Sequence, residues 1–160
     1  MRQDKLLQTP DYYRGLFISR FALLEMFIDT FICRYFELDD KKSKDLVFML
    51  LNRMTFEAKR TTIKTILERH FEKKGFVKTK NNKWPFADVL NEIRLLNDHR
   101  ICFAHYATNG GNSTEDNLIE LVEYRDKMKT IIYSKVEYDK IIRRTSKVYA
   151  QLLGLIDYDK

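Results

Sequence analysis

The sequence predicts a mainly α-helical protein, an up-and-down bundle of about five helices with a β-hairpin appended near residues 118–133. Apolar residues recur at intervals of three and four along most of the chain, which is the period of an amphipathic helix. One late segment instead alternates and carries β-branched residues, which favours strands. With 160 residues and 44% hydrophobic content, we expect a single domain spanning residues 1–160.

Apolar spacing and start and stop signals indicate five helices. We expect them over about residues 11–37, 44–54, 55 or 56 to 74, 85–106 and 134–155. Asp40 or Ser43 is the expected cap of the second helix. Pro85 suits the first turn of the fourth helix, because its missing N–H would be unpaired there anyway. Ser134 and Glu137 form a capping box, in which side chains and backbone N–H groups pair reciprocally, so the last helix should start there.

The first helix is apolar on more than one side. Its large apolar residues are Phe17, Phe21, Leu24, Ile28, Phe31, Ile32, Tyr35 and Phe36. We expect one side to face the core and another to face a partner subunit. Ionisable residues interrupt this apolar run, and their cost in hydrocarbon argues against a transmembrane span and a membrane partner.

Charge and cysteine usage suggest the setting of the protein. Lys and Arg number 29 against 23 Asp and Glu, and the pI is near 9.2, which favours a polyanionic partner such as nucleic acid. Cys33 and Cys102 stand in apolar runs without ligand or disulfide spacing, so we expect reduced thiols in a cytoplasmic protein. The amino terminus lacks the apolar core and cleavage site of a signal peptide.

Cofactor chemistry finds no support in the sequence. His70 and His99 have no carboxylate or thiol at a shared ligand spacing, so no metal is expected. The chain also lacks a glycine-rich phosphate loop and a serine nucleophile elbow, which sets aside nucleotide-cofactor enzymes and hydrolases of those types.

The most basic segment of the chain covers residues 73–83. Its cations are Lys73, Lys74, Lys78, Lys80 and Lys83, with Phe76 and Trp84 interleaved. Phosphate contacts from the lysines and base stacking on Trp84 would hold single-stranded RNA. The alternative is a solvated loop without a ligand.

Arg100 and His105 form the one constellation that carries chemistry, in the segment RICFAH at the end of the fourth helix. A guanidinium holds phosphate oxygens and an imidazole moves protons, which together suffice to cleave RNA without a metal. The alternative is structural: a buried Arg serves as an ion-pair partner, and the helix dipole favours a His near a helix C-terminus.

This segment resembles the Arg-x4-6-His motif of HEPN domains, small all-helical proteins of which many are RNases. The family commonly reads Arg-Asn-x-x-Ala-His, and the chain matches at Arg100, Ala104 and His105. The long apolar first helix and the final hairpin and helix are also similar in outline. The resemblance implies a homodimeric, cytoplasmic endoribonuclease, as in toxin or phage-defence systems, with an antitoxin protein as a further partner.

Ile101 stands where the family has a polar residue that helps to position the phosphate or the histidine. Asn97, Asp98 and His99, one turn earlier, are the residues that could take over this role. Asn97 is the best placed, because Arg100 and Ile101 are its i+3 and i+4 neighbours. The alternative is a non-catalytic HEPN-like module that binds RNA, a nucleotide or a partner protein.

Helix geometry favours a dimeric site. Five residues turn a helix by about 140°, so Arg100 and His105 do not share a face within one chain. The resemblance to HEPN domains implies that dimerisation brings two motifs into one cleft. One His105 would then accept the 2′-hydroxyl proton while the other protonates the departing 5′-oxygen, and Arg100 would stabilise the charge on the phosphate.

Two acidic residues of the first helix are also candidates for the site. Glu25 and Asp29 lie one turn apart and could orient Arg100. Otherwise they pair with Arg20 or Arg34 along their own helix.

Overall fold

The computed structural model describes residues 10–108, 119–124 and 129–155. Within these ranges lie five α-helices, one 3-10 turn at Leu51–Arg53 and three short strands. The helices are α1 (Pro10–Tyr35), α2 (Asp40–Met49), α3 (Phe56–Lys73), α4 (Ala87–His105) and α5 (Lys135–Leu155). The strands are β1 (Ala107–Thr108), β2 (Ile119–Val122) and β3 (Thr130–Tyr133). The predicted mainly helical class with a small late β-structure is confirmed.

Spatial proximity divides the chain into two compact units. The first comprises residues 1–22 and 96–145, and the second comprises residues 23–95 and 146–160. The single domain expected from chain length stays a prediction. No helix in the described ranges combines the length and the apolar character needed to cross a bilayer.

A three-stranded antiparallel sheet of order β1-β2-β3 belongs to the first unit. The predicted hairpin is confirmed by the pairing of β2 with β3, which sets Ile119 opposite Tyr133. Strand β1 was not predicted. Its two residues are too few to show alternation, and its pairing of Ala107 with Val122 joins the end of α4 directly to the sheet. The loop expected over residues 109–116 lies outside the described residues.

Aromatic rings form the core of the first unit. Phe17 and Phe103 are fully buried and stacked, with ring centroids 4.5 Å apart. Tyr133 packs on Phe103 at 4.9 Å. The buried Tyr138 donates a hydrogen bond of 2.7 Å from its hydroxyl to the carbonyl of Tyr13. These contacts hold the start of α1, the end of α4, β3 and the start of α5 in fixed positions within this unit.

The second unit has an aliphatic core. Its buried apolar side chains include Ile28, Ile32, Ile63, Leu67, Leu90, Ile93, Val148 and Leu152. Thr55 caps α3 by accepting a hydrogen bond from the Ala58 N–H, so the predicted start of that helix is confirmed. Helix α1 ends at Tyr35, two residues before its predicted end, and Phe36 is 55% exposed within this chain. Glu37 then adopts a left-handed conformation with a φ of 52°.

Two predicted helix starts differ from the structure. Helix α2 begins at Asp40, four residues early, because the Asp39 carboxylate accepts the Lys42 N–H and acts as the cap. Helix α4 begins at Ala87 and not at Pro85, since the Ala87 N–H still bonds the Trp84 carbonyl in a turn. The capping box of Ser134 is confirmed: its N–H donates to Glu137 at 2.9 Å, and its hydroxyl accepts the Glu137 N–H.

Candidate active site at the end of helix α4

Arg100 and His105 both lie in the last turns of α4, within the first unit. Arg100 is half-buried, whereas His105 is exposed on the final residue of the helix. The chain leaves the helix through Tyr106, whose N–H bonds the Cys102 carbonyl at 3.0 Å, and enters β1 immediately. The imidazole is therefore carried on a backbone that is tied to the helix on one side and to the sheet on the other.

Arg14 anchors this helix end. Its guanidinium donates a hydrogen bond of 3.0 Å from Nη2 to the carbonyl of Ala104, one residue before His105. The last four carbonyls of a helix have no partner within the helix, so a cation that binds one of them stabilises the end. Sequence reasoning missed Arg14, because it lies 90 positions from Ala104 and no spacing rule connects them.

The exposed face of α4 near the motif combines polar and apolar side chains. Asp98, Ile101 and His105 follow one another at intervals of three and four residues, so they share one face of the helix. All three are exposed, Ile101 at 40%. Arg100 is half-buried on another side, and the half-buried Asn97 lies between the two sides, one turn before both Arg100 and Ile101. The role predicted for Asn97 stays a prediction.

A cavity of about 460 Å³ opens beside α4 in the first unit. Two of the predicted supporting residues, Asp98 and His99, line it. The His99 Nδ1 atom lies 2.9 Å from the hydroxyl oxygen of Tyr133. Burial raises the pKa of the Tyr133 phenol, and nearby Cys102 reinforces this direction. Burial also raises the pKa of the Cys102 thiol, against the opposing hydrogen bond with Tyr106.

Glu25 and Asp29 share a cationic partner that the sequence does not predict. Both carboxylates accept hydrogen bonds of 2.9 Å from Nζ of Lys59, on α3. The Lys59 side chain is only 3% exposed. Burial alone would lower the pKa of the Lys59 ammonium, because it disfavours the charged form. The hydrogen bonds to Asp29 and Glu25 outweigh this effect, so the pKa is raised. The helical pattern of α3 gave no sign that Lys59 would be buried.

The basic segment is more ordered than a solvated run of lysines. Lys78 Nζ donates hydrogen bonds to the carbonyls of Thr79 and Asn82, so this cation holds its own loop together. Trp84 packs between Phe76 and Phe86, with ring centroids at 5.0 and 5.3 Å. The lysines at 73, 74, 80 and 83 are exposed. Of the predicted RNA-binding set, Lys78 is also exposed but bonds its own loop, and Trp84 packs against aromatic rings in the second unit.

Among the described residues, no group of three or more His, Cys, Asp or Glu side chains is arranged to hold a metal ion. Comparison with protein-family models, curated proteins and solved structures finds no match to this chain.

Proposed function

We propose that the protein is a metal-independent endoribonuclease of the HEPN type, with His105 as the acid-base group and Arg100 as the phosphate-binding group. The observation that carries the proposal is the solvent-exposed imidazole on the last residue of α4, five residues beyond the half-buried Arg100. An accessible imidazole is what a proton-transfer role requires, and partial burial strengthens the contact of a guanidinium with phosphate.

The reaction is a transesterification. A neutral His105 accepts the proton of a ribose 2′-hydroxyl, and the 2′-oxygen forms a bond with phosphorus. The bond between phosphorus and the 5′-oxygen breaks, and a protonated His105 gives its proton to that oxygen. Arg100 stabilises the added charge on the phosphate oxygens during this exchange. The products are a 2′,3′-cyclic phosphate and a 5′-hydroxyl.

Two copies of the chain supply the two imidazoles in this scheme. Each protomer contributes one His105, and Arg100 lies about 140° away from it around the same helix, so a second protomer is needed to place two His105 imidazoles in one site. The face formed by Asp98, Ile101 and His105 supports the proposal of a homodimer, because exposed Ile101 gives it an apolar element to bury. The exposed lysines of the basic segment and the net charge of +6 support RNA as the substrate.

The biological setting follows from the family resemblance alone. We infer a cytoplasmic toxin or phage-defence nuclease, with an antitoxin protein as a further partner. The second candidate function is a HEPN-like module that binds RNA, a nucleotide or a partner protein without cleavage. One observation favours it, namely the apolar Ile101 at the position where the family has a polar side chain.

Cleavage of a labelled single-stranded RNA in EDTA tests the proposal. We expect wild type to cleave and both His105→Ala and Arg100→Ala to lose at least about a hundredfold in rate, the scale of losing a general acid-base group or a group that stabilises transition-state charge. Arg94→Ala is the matched control, since Arg94 is an exposed arginine of the same helix. Intact RNA in every reaction, with binding retained, would replace the nuclease with the binding module.

A further inference from the structure

The cavity beside α4 has the volume and the lining of a small-molecule binding site. Its volume of about 460 Å³ falls in the range of small-molecule pockets, about 300–1,000 Å³. Apolar walls come from Ile131 and Ile141, one on β3 and one on α5. A few polar and charged groups converge on the same space from α4, β3 and α5. Apolar walls with a small number of placed polar groups are what orient a ligand in such pockets.

The neutral polar groups of the cavity are held in place. Tyr133 is 4% exposed, and its ring packs on the fully buried Phe103. Its hydroxyl lies 2.9 Å from Nδ1 of His99, and the two rings meet edge to face. Hydroxyl and imidazole groups both donate and accept hydrogen bonds, as the edge of a nucleobase requires. A fixed pair of such groups discriminates between bases, because a base with the wrong donors and acceptors leaves buried polar groups without hydrogen bonds.

The cavity also carries an excess of cationic groups. Lys140 and Arg144 lie four residues apart on one face of α5, and Lys129 immediately precedes β3. Asp98 and Glu137 are the acidic lining residues. The Glu137 carboxylate accepts hydrogen bonds of 2.9 Å from both the N–H and the hydroxyl of Ser134 through one oxygen, Oε2, and it also interacts electrostatically with Lys140. With three cationic and two acidic side chains, the cavity lining carries a net positive charge, which favours a phosphate group.

We propose that this cavity binds one nucleotide, with its base against Tyr133 and His99 and its phosphate toward Lys140 and Arg144. The role of this nucleotide rests on the proposed nuclease function: it is the residue of the RNA strand that flanks the cleaved phosphate. Asp98, which also lines the cavity, shares the helix face of His105 and lies seven residues before it, about 10.5 Å along the axis. One strand can therefore reach from the cavity to His105, and the cavity sets the base preference of cleavage.

Binding of the four ribonucleoside 3′-monophosphates, measured by calorimetry, tests the cavity without any cleavage step. We expect saturable binding to wild type, and a loss of at least about tenfold in the double variant Lys140→Ala/Arg144→Ala, the scale of a charge-assisted hydrogen bond. Arg143→Ala is the matched control, because Arg143 is exposed beside Arg144 and does not line the cavity. Lys140→Glu, a single change at an exposed position, gives the same test if the double variant is unfolded.

The same binding experiment also measures the preference of the cavity for one base over another. Tyr133→Phe removes only the hydroxyl, so it should reduce the difference in affinity among the four monophosphates. Absence of saturable binding by wild type, or equal binding by wild type and the cavity variants, would overturn the proposal. If wild type still cleaves RNA in EDTA when the binding experiment gives either of these results, the proposed nuclease function stands and only the nucleotide subsite is rejected.

Binding of a second ligand shows whether the cavity takes one residue of an RNA strand or a free nucleotide. A 2′-O-methyl tetranucleotide cannot be cleaved through its 2′-oxygen, and it should bind more tightly than any monophosphate if the cavity takes one residue of a strand. If the tetranucleotide is excluded while monophosphates bind, the subsite assignment is overturned and the cavity is a site for free nucleotides.

Discussion

The guanidinium of Arg14 binds the backbone carbonyl of Ala104 at 3.0 Å, and so links α1 to the end of α4 that carries His105. Arg14 is half-buried and the acceptor belongs to the last turn of the helix. The hydrogen bond therefore both stabilises the fold and restricts the backbone beneath the imidazole.

Arg14→Ala should lower the free energy of unfolding by about 1–2 kcal/mol, the scale of a partly exposed hydrogen bond to a charged group. It should also slow RNA cleavage, because the final turn of α4 loses its anchor. Urea denaturation and the cleavage assay measure the two effects. Arg20→Ala removes an exposed arginine of the same helix and should change neither; equal effects of the two variants would mean that the contact with Ala104 has no special role.

Lys59→Met should be strongly destabilising at neutral pH. It leaves Glu25 and Asp29 close together without their cation, and breaking a buried ion pair costs about 3–5 kcal/mol. The matched control is Lys64→Met, because Lys64 is exposed and its pair with the half-buried Glu68 joins positions i and i+4 of the same helix, which is worth about 0.3–0.5 kcal/mol. Urea denaturation of both variants at pH 7 gives the comparison, and similar losses would contradict a stabilising role of the buried lysine.

The destabilisation by Lys59→Met should also depend on pH. Burial already raises the pKa of Asp29, although the hydrogen bond from Lys59 opposes it. Without the cation this pKa rises further, so the stability of the variant is highest below the unfolded pKa of about 4 and is lost as pH rises through the folded value. The difference from wild type should therefore shrink as pH falls from 7 to 4. A difference that stays constant would show that lost packing, and not charge, causes the effect.

Tyr138→Phe should lower the free energy of unfolding by about 1 kcal/mol. The buried hydroxyl donates to the Tyr13 carbonyl, and the phenylalanine ring would leave that acceptor without this donor. Thermal unfolding of Tyr138→Phe and of Tyr124→Phe provides the measurement, since Tyr124 is 63% exposed. An unchanged transition for Tyr138→Phe would mean that water replaces the donor at no cost.

The two thiols should react slowly in the folded protein. Burial raises the pKa of both Cys33 and Cys102, and the thiolate is the reactive form. We expect labelling by a disulfide reagent at pH 7 to be much slower in buffer than in denaturant, and to accelerate as pH rises. The variant Cys102→Ser assigns the faster phase, because Cys102 is half-buried and Cys33 is buried. Rapid native labelling at pH 7 would contradict the protected state of the thiols.

Local signals predicted the elements of this fold well. The capping box at Ser134 and the cap at Thr55 are short-range patterns, and the structure forms both. The start of α2 was placed late because Asp39, Asp40 and Ser43 are all capable caps, and only the structure shows that Asp39 accepts the Lys42 N–H. Strand β1 escaped prediction because two residues carry no periodicity.

Long-range contacts could not be predicted from the sequence. No local rule connects Arg14 with Ala104 or His99 with Tyr133, which are 90 and 34 positions apart. Lys59 was unexpected for the same reason, since its carboxylate partners lie on another helix. The motif itself was visible as a spacing of Arg100 and His105, but the cavity beside it arises only when β3 and α5 pack next to α4.

The central claim is that His105 drives attack by a ribose 2′-hydroxyl, and a pair of substrates tests it most directly. One labelled RNA is compared in EDTA with the same RNA carrying a single 2′-deoxyribose on the 5′ side of the preferred cleavage bond. We expect wild type to cut the first into a 2′,3′-cyclic phosphate and a 5′-hydroxyl and to leave that bond intact in the second. We expect His105→Ala to lose cleavage of the first substrate. Cleavage of both substrates, or equal cleavage of the first by wild type and His105→Ala, would contradict the claim.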